Sequence, residues 1–208
     1  MLSLTVDPAN PDSTVIARAA DILRGGGVVA YPTDTLYGLA VDPTNDTAVD
    51  RLFAVKERDT GSAIALIAAD LRQARTAGEF LDIDLRLAET FWPGPLTIVV
   101  PASPAICALL TAKDRTIGVR VPAHAVARSI AAALGLCITA TSANRSGLPA
   151  ATTPEQVRST LADRIDCLVD GGSAPGGLPS TIVRAANGRI DVLRAGAIAS
   201  ERVLESLQ

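Results

Sequence analysis

Histidine, cysteine and aromatic residues are scarce in this chain, and each scarcity narrows the range of functions. His124 is the only histidine, so a histidine-rich metal site and a Ser-His-Asp triad lack material. Cys107, Cys137 and Cys167 are odd in number and form no CxxC pair, which favours a reducing compartment. Aromatic residues make up 3% of a chain that is 48% hydrophobic, so we expect an aliphatic, alanine-rich core.

Basic residues do not dominate the charge. The chain carries 19 Lys+Arg against 22 Asp+Glu, which gives a net charge of −3. A protein that coats nucleic acid needs a broad basic field, so that class is disfavoured, whereas a local basic cavity is not. The sequence shows no basic-then-apolar leader and no apolar run of membrane-spanning length. We expect a soluble cytoplasmic protein without a membrane partner, folded as one domain over residues 1–208.

Helical periodicity alternates with short β-branched or apolar runs along the whole chain. This interleaving predicts an α/β architecture. The patterns predict helices over 13–24, 46–55, 85–91, 126–134 and 154–161, and strands over 28–31, 63–68, 96–100, 116–121, 137–140, 167–169, 181–183 and 192–193.

Small polar or glycine-rich clusters follow several of these segments. In open α/β sheets, ligands bind beyond the carboxyl ends of strands, so the clusters are expected to converge on one small-molecule site. Neither a Walker A motif nor GxGxxG is present, so the common nucleotide signatures are missing. The clusters are Pro32 to Gly38, Lys56-x-Arg58, Gly118 to Pro122, Ser142 to Gly147, Asp170 to Thr181 and Leu193 to Gly196.

Each cluster also has an ordinary structural interpretation. The first can be a turn in which Asp34 caps its own backbone. Lys56 and Arg58 clamp a polyphosphate if their segment is extended, but they can equally be a solvated helix end. Arg120, inside a β-branched run, needs a carboxylate or phosphate partner, and a structural salt bridge would supply one. Asn144 can occupy a left-handed turn in a loop.

Taken in order, the motifs resemble those of the YrdC-like threonylcarbamoyl-AMP synthase family, in its short single-domain form. The likeness runs from about residue 12 to residue 198. It implies a twisted mixed α/β sheet with flanking helices around a large, positively lined cavity. The motifs that carry it are Tyr31-Pro32-Thr33-Asp34-Thr35-Leu36-Tyr37-Gly38, Lys56-x-Arg58, Phe91-Trp92-Pro93-Gly94-Pro95-Leu96-Thr97, Gly118-Val119-Arg120-Val121-Pro122-Ala123-His124, Thr141-Ser142-Ala143-Asn144, Pro179-Ser180-Thr181-Ile182 and Arg194-x-Gly196.

The resemblance implies an enzyme that makes L-threonylcarbamoyladenylate and pyrophosphate from L-threonine, bicarbonate or CO2, and ATP with Mg2+. Its implied partners are a downstream threonylcarbamoyl transferase and tRNA or double-stranded RNA, since the product serves threonylcarbamoyl-adenosine modification of tRNA. By family correspondence, L-threonine is held by Thr35, Arg120, the backbone at Ala140, and Ser180. The implied ATP site comprises Lys56, Arg58, Ser62, Thr116, Ser142, Asn144, the backbone near Ala150, and Arg194, with Lys56 and Arg58 as catalytic residues.

Two segments depart from the family pattern. Ala112 to Thr116 lacks the glycines often found there, and the other segment follows Arg58. Where the family continues with prolines, this chain has Asp59-Thr60-Gly61-Ser62-Ala63-Ile64-Ala65, which is expected to loosen the ATP clamp. His124 is expected to be structural. Two other functions remain open: a non-catalytic RNA-binding factor in tRNA or ribosome maturation, and a paralogue that adenylates a different carbamoyl or acyl substrate.

Overall fold

A ten-stranded mixed sheet with helices against its faces is the framework of the computed structural model, which describes residues 1–59, 61–186 and 188–206. The predicted α/β fold class is confirmed. The strands are β1 (Leu2–Thr5), β2 (Val29–Pro32), β3 (Tyr37–Ala40), β4 (Ala65–Ile67), β5 (Leu96–Pro101), β6 (Thr116–Arg120), β7 (Ile138–Ser142), β8 (Cys167–Asp170), β9 (Thr181–Ala186) and β10 (Arg189–Arg194). The helices are α1 (Ser13–Arg24), α2 (Asp46–Lys56), α3 (Leu71–Ala77), α4 (Asp82–Phe91), α5 (Ala125–Leu134), α6 (Pro154–Leu161) and α7 (Ser200–Glu205), with a 3-10 turn at Ala108–Leu110.

The strand order is β1-β8-β2-β3-β7-β4-β6-β5-β9-β10. Parallel pairs (β1 with β8, β2 with β8, β4 with β6, β5 with β9) are mixed with antiparallel ones. The antiparallel strand β7 joins β3 to β4 in the middle of the sheet. The residues that follow β2 reach β6, where Asp34 pairs with Arg120.

The β2–β3 hairpin corrects the prediction for the first motif. Residues Tyr37 and Gly38 belong to a strand, in register with Pro32 and Tyr31, and only the residues between the two strands form the turn. A side chain at Gly38 would meet the Tyr31 ring at 3.0 Å, so glycine is required for the ring to lie across the hairpin. The turn is capped by Thr33, whose hydroxyl donates to the Leu36 carbonyl and accepts from the Leu36 amide. Asp34 is therefore free to bind elsewhere.

Both faces of the sheet are covered by aliphatic clusters. On one face, α1 begins at its cap Asp12 and packs its buried residues, such as Leu23, against α5. The other face holds α2, which buries Leu52 and Phe53 and ends at Lys56. Strands β1 and β3 and helices α3 and α7 were not among the predicted elements, because each is too short to show a clear periodicity. No helix in the described residues is both long and apolar enough to cross a membrane.

Candidate active site

A cavity at the sheet centre collects most of the predicted site residues. The volume of this cavity is about 320 Å³, which is within the range of small-molecule sites. Strand ends and the loops after them form its walls. The predicted residues that line it are Thr35, Arg58, Arg120, Ala140, Ser142, Ala150, Ser180 and Arg194. Within the described ranges, the lining does not include four others, which are Lys56, Ser62, Thr116 and Asn144.

The lining combines positive charge with hydroxyl groups. Three arginines, Arg58, Arg120 and Arg194, face the cavity, and no carboxylate in the described part of the chain lines it. Burial lowers the pKa of Arg58 and of Arg194, and the Arg120 charge adds to the effect on Arg194. Guanidinium groups remain protonated at any physiological pH, so the cavity is suited to anions. Its hydroxyl groups come from Thr33, Thr35, Thr97, Thr141, Ser142 and Ser180.

Lys56 and Arg58 do not lie on one face of an extended segment, as a polyphosphate clamp would require. Lys56 is the last residue of α2, and Glu57 turns the chain with a left-handed backbone at φ 51°. The two side chains therefore separate. Arg58 reaches the cavity, where it donates to the Ala63 carbonyl at 3.1 Å and lies 3.4 Å from the Thr141 hydroxyl.

Lys56 lies behind the cavity wall and is only 2% exposed. Its ammonium donates to the Ser142 carbonyl at 2.5 Å and to both the carbonyl and the side-chain oxygen of Asn144 at 3.0 Å. Three donors thus meet three acceptors. Burial, together with the nearby Arg58 charge, lowers the pKa of Lys56 to about 8. Lys56 thereby holds the loop that follows β7.

That loop differs from the turn considered for Asn144. Among the described residues, the loop's left-handed position is Gly147, at φ 83°, and Asn144 is not left-handed. The Asn144 side chain accepts from the Ser142 hydroxyl at 2.6 Å and donates to the Leu148 carbonyl. The loop therefore has a fixed internal network, which joins Ser142 at the end of β7 to the segment that carries Ala150, and both residues line the cavity.

Arg120 is held from two sides. Its Nε donates to the Gly94 carbonyl at 2.9 Å, and its Nη2 forms an ion pair with Asp34. The Arg120 side chain is 8% exposed and that of Asp34 is 16% exposed. The structural salt bridge considered from the sequence therefore exists, and the same guanidinium also lines the cavity. Asp34 accepts in addition from the Ala123 amide, so it does not cap its own turn.

Ser180 precedes β9 and contacts the neighbouring strand β5. Its hydroxyl lies 2.8 Å from that of Thr97, and Arg194 donates to both its carbonyl and its hydroxyl. Gly196 makes this arrangement possible, because a Cβ there would lie 2.6 Å from the Ser180 carbonyl carbon and would also collide with the Pro179 carbonyl oxygen. The Arg194-x-Gly196 motif thus packs directly against the strand that begins after Ser180.

The other predicted residues have local roles. Thr116 is buried in β6 and donates to Asp114 at 2.7 Å, while Ser62 is exposed and its amide donates to the Asp59 carbonyl. Thr60, in the departing segment, lies outside the described residues. His124 caps α5 without a side-chain bond, and burial lowers its pKa.

Sequence reasoning missed three residues of this region, which are Asp34 as the partner of Arg120, and Thr97 and Thr141 as lining residues. Thr97 is a polar residue in the otherwise apolar strand β5, and Arg120 likewise ends the mostly apolar run of β6. A polar residue in an otherwise apolar strand was therefore the available signal for Thr97.

Known proteins match this chain in both sequence and fold. A model of the Sua5/YciO/YrdC family, which carries the description telomere recombination, matches residues 21–196. The crystal structure of P. abyssi Sua5 complexed with L-threonine is 31% identical, with a TM-score of 0.93, and is matched over 100% of this chain and 61% of that one. E. coli YciO is 26% identical, with a TM-score of 0.88, over 98% of this chain and 100% of its own. The MTH1692 protein of Methanobacterium thermoautotrophicum is 34% identical, with a TM-score of 0.71, over 90% and 88% of the two chains. The chain thus spans about three fifths of the Sua5 protein that it matches.

Proposed function

Because the chain belongs to the Sua5/YciO/YrdC family, we propose that it is an L-threonylcarbamoyladenylate synthase. The substrates are L-threonine, bicarbonate or CO2, and ATP, and the products are threonylcarbamoyl-AMP and pyrophosphate. One observation carries the proposal: a single cavity unites the residues assigned to threonine with most of those assigned to ATP. It is supported by P. abyssi Sua5, which was solved with L-threonine.

At the threonine end of the cavity, Arg120 is the proposed partner of the substrate carboxylate. A guanidinium has five N–H donors, and Asp34 and Gly94 account for only part of them. Burial strengthens such a charge-assisted hydrogen bond, because the surroundings screen it less than water does. The hydroxyls of Thr35 and Ser180 and the backbone at Ala140 supply the polar groups around the remaining atoms of the amino acid.

At the nucleotide end, Arg58 and Arg194 supply positive charge for the phosphates. Ser142 and the backbone at Ala150 come from the loop that Lys56 holds. We therefore assign Lys56 to ATP binding through that loop, whereas Arg58 is placed to contact the nucleotide itself.

The proposed reaction needs positioning and charge neutralisation more than covalent catalysis. The threonine amine adds to CO2 and loses a proton, which gives a carbamate. A carbamate oxygen then attacks the α-phosphorus of ATP, the bond to the bridging oxygen breaks, and pyrophosphate leaves with that electron pair. Holding two anions in line is costly in water, and the three arginines lower that cost. Their fixed hydrogen bonds mean that little reorganisation is needed during the reaction.

Mg2+ is proposed to enter as part of the ATP substrate, where it would neutralise phosphate charge. Among the described residues, no group of three or more His, Cys, Asp or Glu side chains is placed to hold a metal ion. The phosphates themselves would therefore provide most of the ligands. The product would pass to a threonylcarbamoyl transferase that acts on tRNA in the cytoplasm.

Pyrophosphate release tests the proposal. The purified chain is given MgATP with each amino acid in turn, with bicarbonate added or removed. Release that requires both L-threonine and bicarbonate is the predicted result. Release that is independent of amino acid would contradict it, as would no release from a folded sample.

A second candidate is the same chemistry on a different amino acid or acyl substrate. It is favoured by the departing segment after Arg58, where an acidic residue, Asp59, follows in the sequence the arginine that lines the cavity. The same panel decides between the two, because release with another amino acid would identify the paralogue. RNA binding without any pyrophosphate release would point to a binding factor.

A further inference from the structure

The Thr97 hydroxyl is a buried polar group that the proposed mechanism does not use. Thr97 is 3% exposed and is the second residue of the otherwise apolar strand β5. Its Oγ1 lies 2.8 Å from Ser180 Oγ, and the described residues offer it no other hydrogen-bond partner. A buried hydroxyl whose proton has no acceptor is costly. The direction of the hydrogen bond between Thr97 and Ser180 therefore has consequences for the site.

The neighbours of Ser180 determine which hydroxyl donates. A serine hydroxyl has one proton and accepts through two lone pairs. Arg194 Nη2 can only donate, and it occupies one of those lone pairs at 3.1 Å. If Thr97 also donates, both lone pairs are filled and the Ser180 proton is left to bond a ligand. In the opposite arrangement, the Thr97 proton has no acceptor among the described residues.

The Thr97 side chain is also fixed in the required rotamer. Its methyl group occupies space that a side chain at Gly118 would fill, since a Cβ there would lie 2.9 Å from Thr97 Cγ2. β6 therefore carries glycine opposite the methyl group, two residues before Arg120. With the methyl group on that side, Oγ1 points towards Ser180.

We propose that Thr97 is a positioning residue that sets substrate affinity by turning the Ser180 proton into the cavity, towards an acceptor oxygen of the bound amino acid. The inference rests on the proposed function, because it uses the assignment of Ser180 to L-threonine. Arg120 lies in the same cavity, close enough for its charge to affect Arg194. In this proposal, the carboxylate that Arg120 binds also accepts from the Ser180 hydroxyl.

Two variants, Thr97→Val and Thr97→Ser, separate the contribution of the hydroxyl group from that of the methyl group. The first keeps the shape and removes the donor, and the second keeps the donor and removes the methyl group. Titration calorimetry with L-threonine is expected to show a dissociation constant raised about tenfold in Thr97→Val, the cost of one hydrogen bond, and within about threefold of wild type in Thr97→Ser. The KM for threonine should rise in the same proportion, while kcat and the KM for ATP stay within about twofold. If Thr97→Val does not fold, Thr97→Ala replaces it, because alanine puts no methyl group in the place of the hydroxyl beside Ser180.

The Ser180→Ala variant is the control that tests whether Thr97 acts through Ser180. There, Thr97→Val should cause no further loss of affinity, because the proton that Thr97 directs has been removed. Wild-type affinity in Thr97→Val, an equal loss in Thr97→Ser, or an undiminished effect in the Ser180→Ala background would each overturn the inference alone. Failure of the wild-type protein to bind L-threonine would instead overturn the proposed function, and the inference with it.

Discussion

Lys56 Nζ lies 3.0 Å from both the carbonyl oxygen and the side-chain oxygen of Asn144, although the two residues are 88 positions apart in the chain. A lysine that the motif assigns to the nucleotide thus uses its ammonium group to fix a loop. Arg58, two residues later, lies in the cavity wall itself. The Lys-x-Arg motif therefore has two physical roles, and they can be tested separately.

Single alanine substitutions at Lys56 and Arg58 should have different effects. Arg58→Ala removes a cavity cation, so we expect the KM for ATP to rise at least about tenfold with an unchanged melting temperature. Lys56→Ala leaves three loop oxygens without their donor, so we expect both weaker ATP binding and an unfolding free energy lower by about 1–3 kcal/mol. Kinetics and thermal unfolding measure the two effects. Lys113→Ala, at the exposed second lysine, is the control and should change neither. Equal melting temperatures for Lys56→Ala and Arg58→Ala would contradict the division of roles.

Activity should fall as the pH rises through about 8. Above that pH, Lys56 becomes a neutral amine with two donors for three acceptors, so the loop loses a hydrogen bond and the KM for ATP rises. The same titration affects the unfolding free energy in the opposite direction. Between about 8 and the ordinary value of 10.5, the unfolded chain keeps a proton that the folded chain has lost, so this group makes the unfolding free energy increase with pH. A pH profile of the KM for ATP measures the effect. A profile that is flat from pH 7 to 9 would show that the charge on Lys56 does not matter.

Asp34→Ala should be far more damaging than the loss of a surface carboxylate. It leaves the buried Arg120 charge without its partner, so we expect the unfolding free energy to fall by about 3 kcal/mol and threonine binding to weaken. Glu155→Ala breaks a pair whose carboxylate is 75% exposed, and should cost less than about 0.5 kcal/mol. Denaturant unfolding compares the two variants. A similar small cost for both would mean that Arg120 does not depend on Asp34.

Gly196→Ala should abolish activity through packing alone. The added methyl group would lie 2.6 Å from the Ser180 carbonyl carbon, so either Ser180 or Arg194 must move. Both side chains line the cavity, and displacement of reacting partners by even about 1 Å costs around a hundredfold in rate. Gly25→Ala is the matched control, because a Cβ there meets its nearest atoms at an ordinary 3.5 Å. Near-normal turnover in Gly196→Ala would show that the segment tolerates displacement.

The sequence predicted the residues that stand out locally. Arg120 was identified because a charged residue interrupts a β-branched strand, and burial of that charge requires a partner. The partner itself could not be identified, since Asp34 and Arg120 are 86 residues apart and meet only when β2 and β6 are placed in one sheet. The hydrogen bond of Thr97 could not be predicted for the same reason, because its partner Ser180 is 83 residues away in the chain.

Short elements and unusual backbone angles account for the other differences. Strand β3 has four residues and follows a turn, so its Tyr37 and Gly38 were assigned to the site loop. Glu57 adopts a left-handed backbone, which non-glycine residues seldom do, and no residue pattern indicates it. That single residue sends Lys56 and Arg58 in different directions and decides what the motif can do.

The proposed reaction joins L-threonine, bicarbonate and the AMP part of ATP into one adenylate in this cavity. The most direct measurement is mass spectrometry of the adenylate formed when the protein turns over MgATP and L-threonine with ordinary or carbon-13 bicarbonate. We expect a threonylcarbamoyl-AMP whose mass increases with the labelled bicarbonate. An adenylate without the label, or hydrolysis of ATP to AMP and pyrophosphate with no adenylate of threonine, would contradict it.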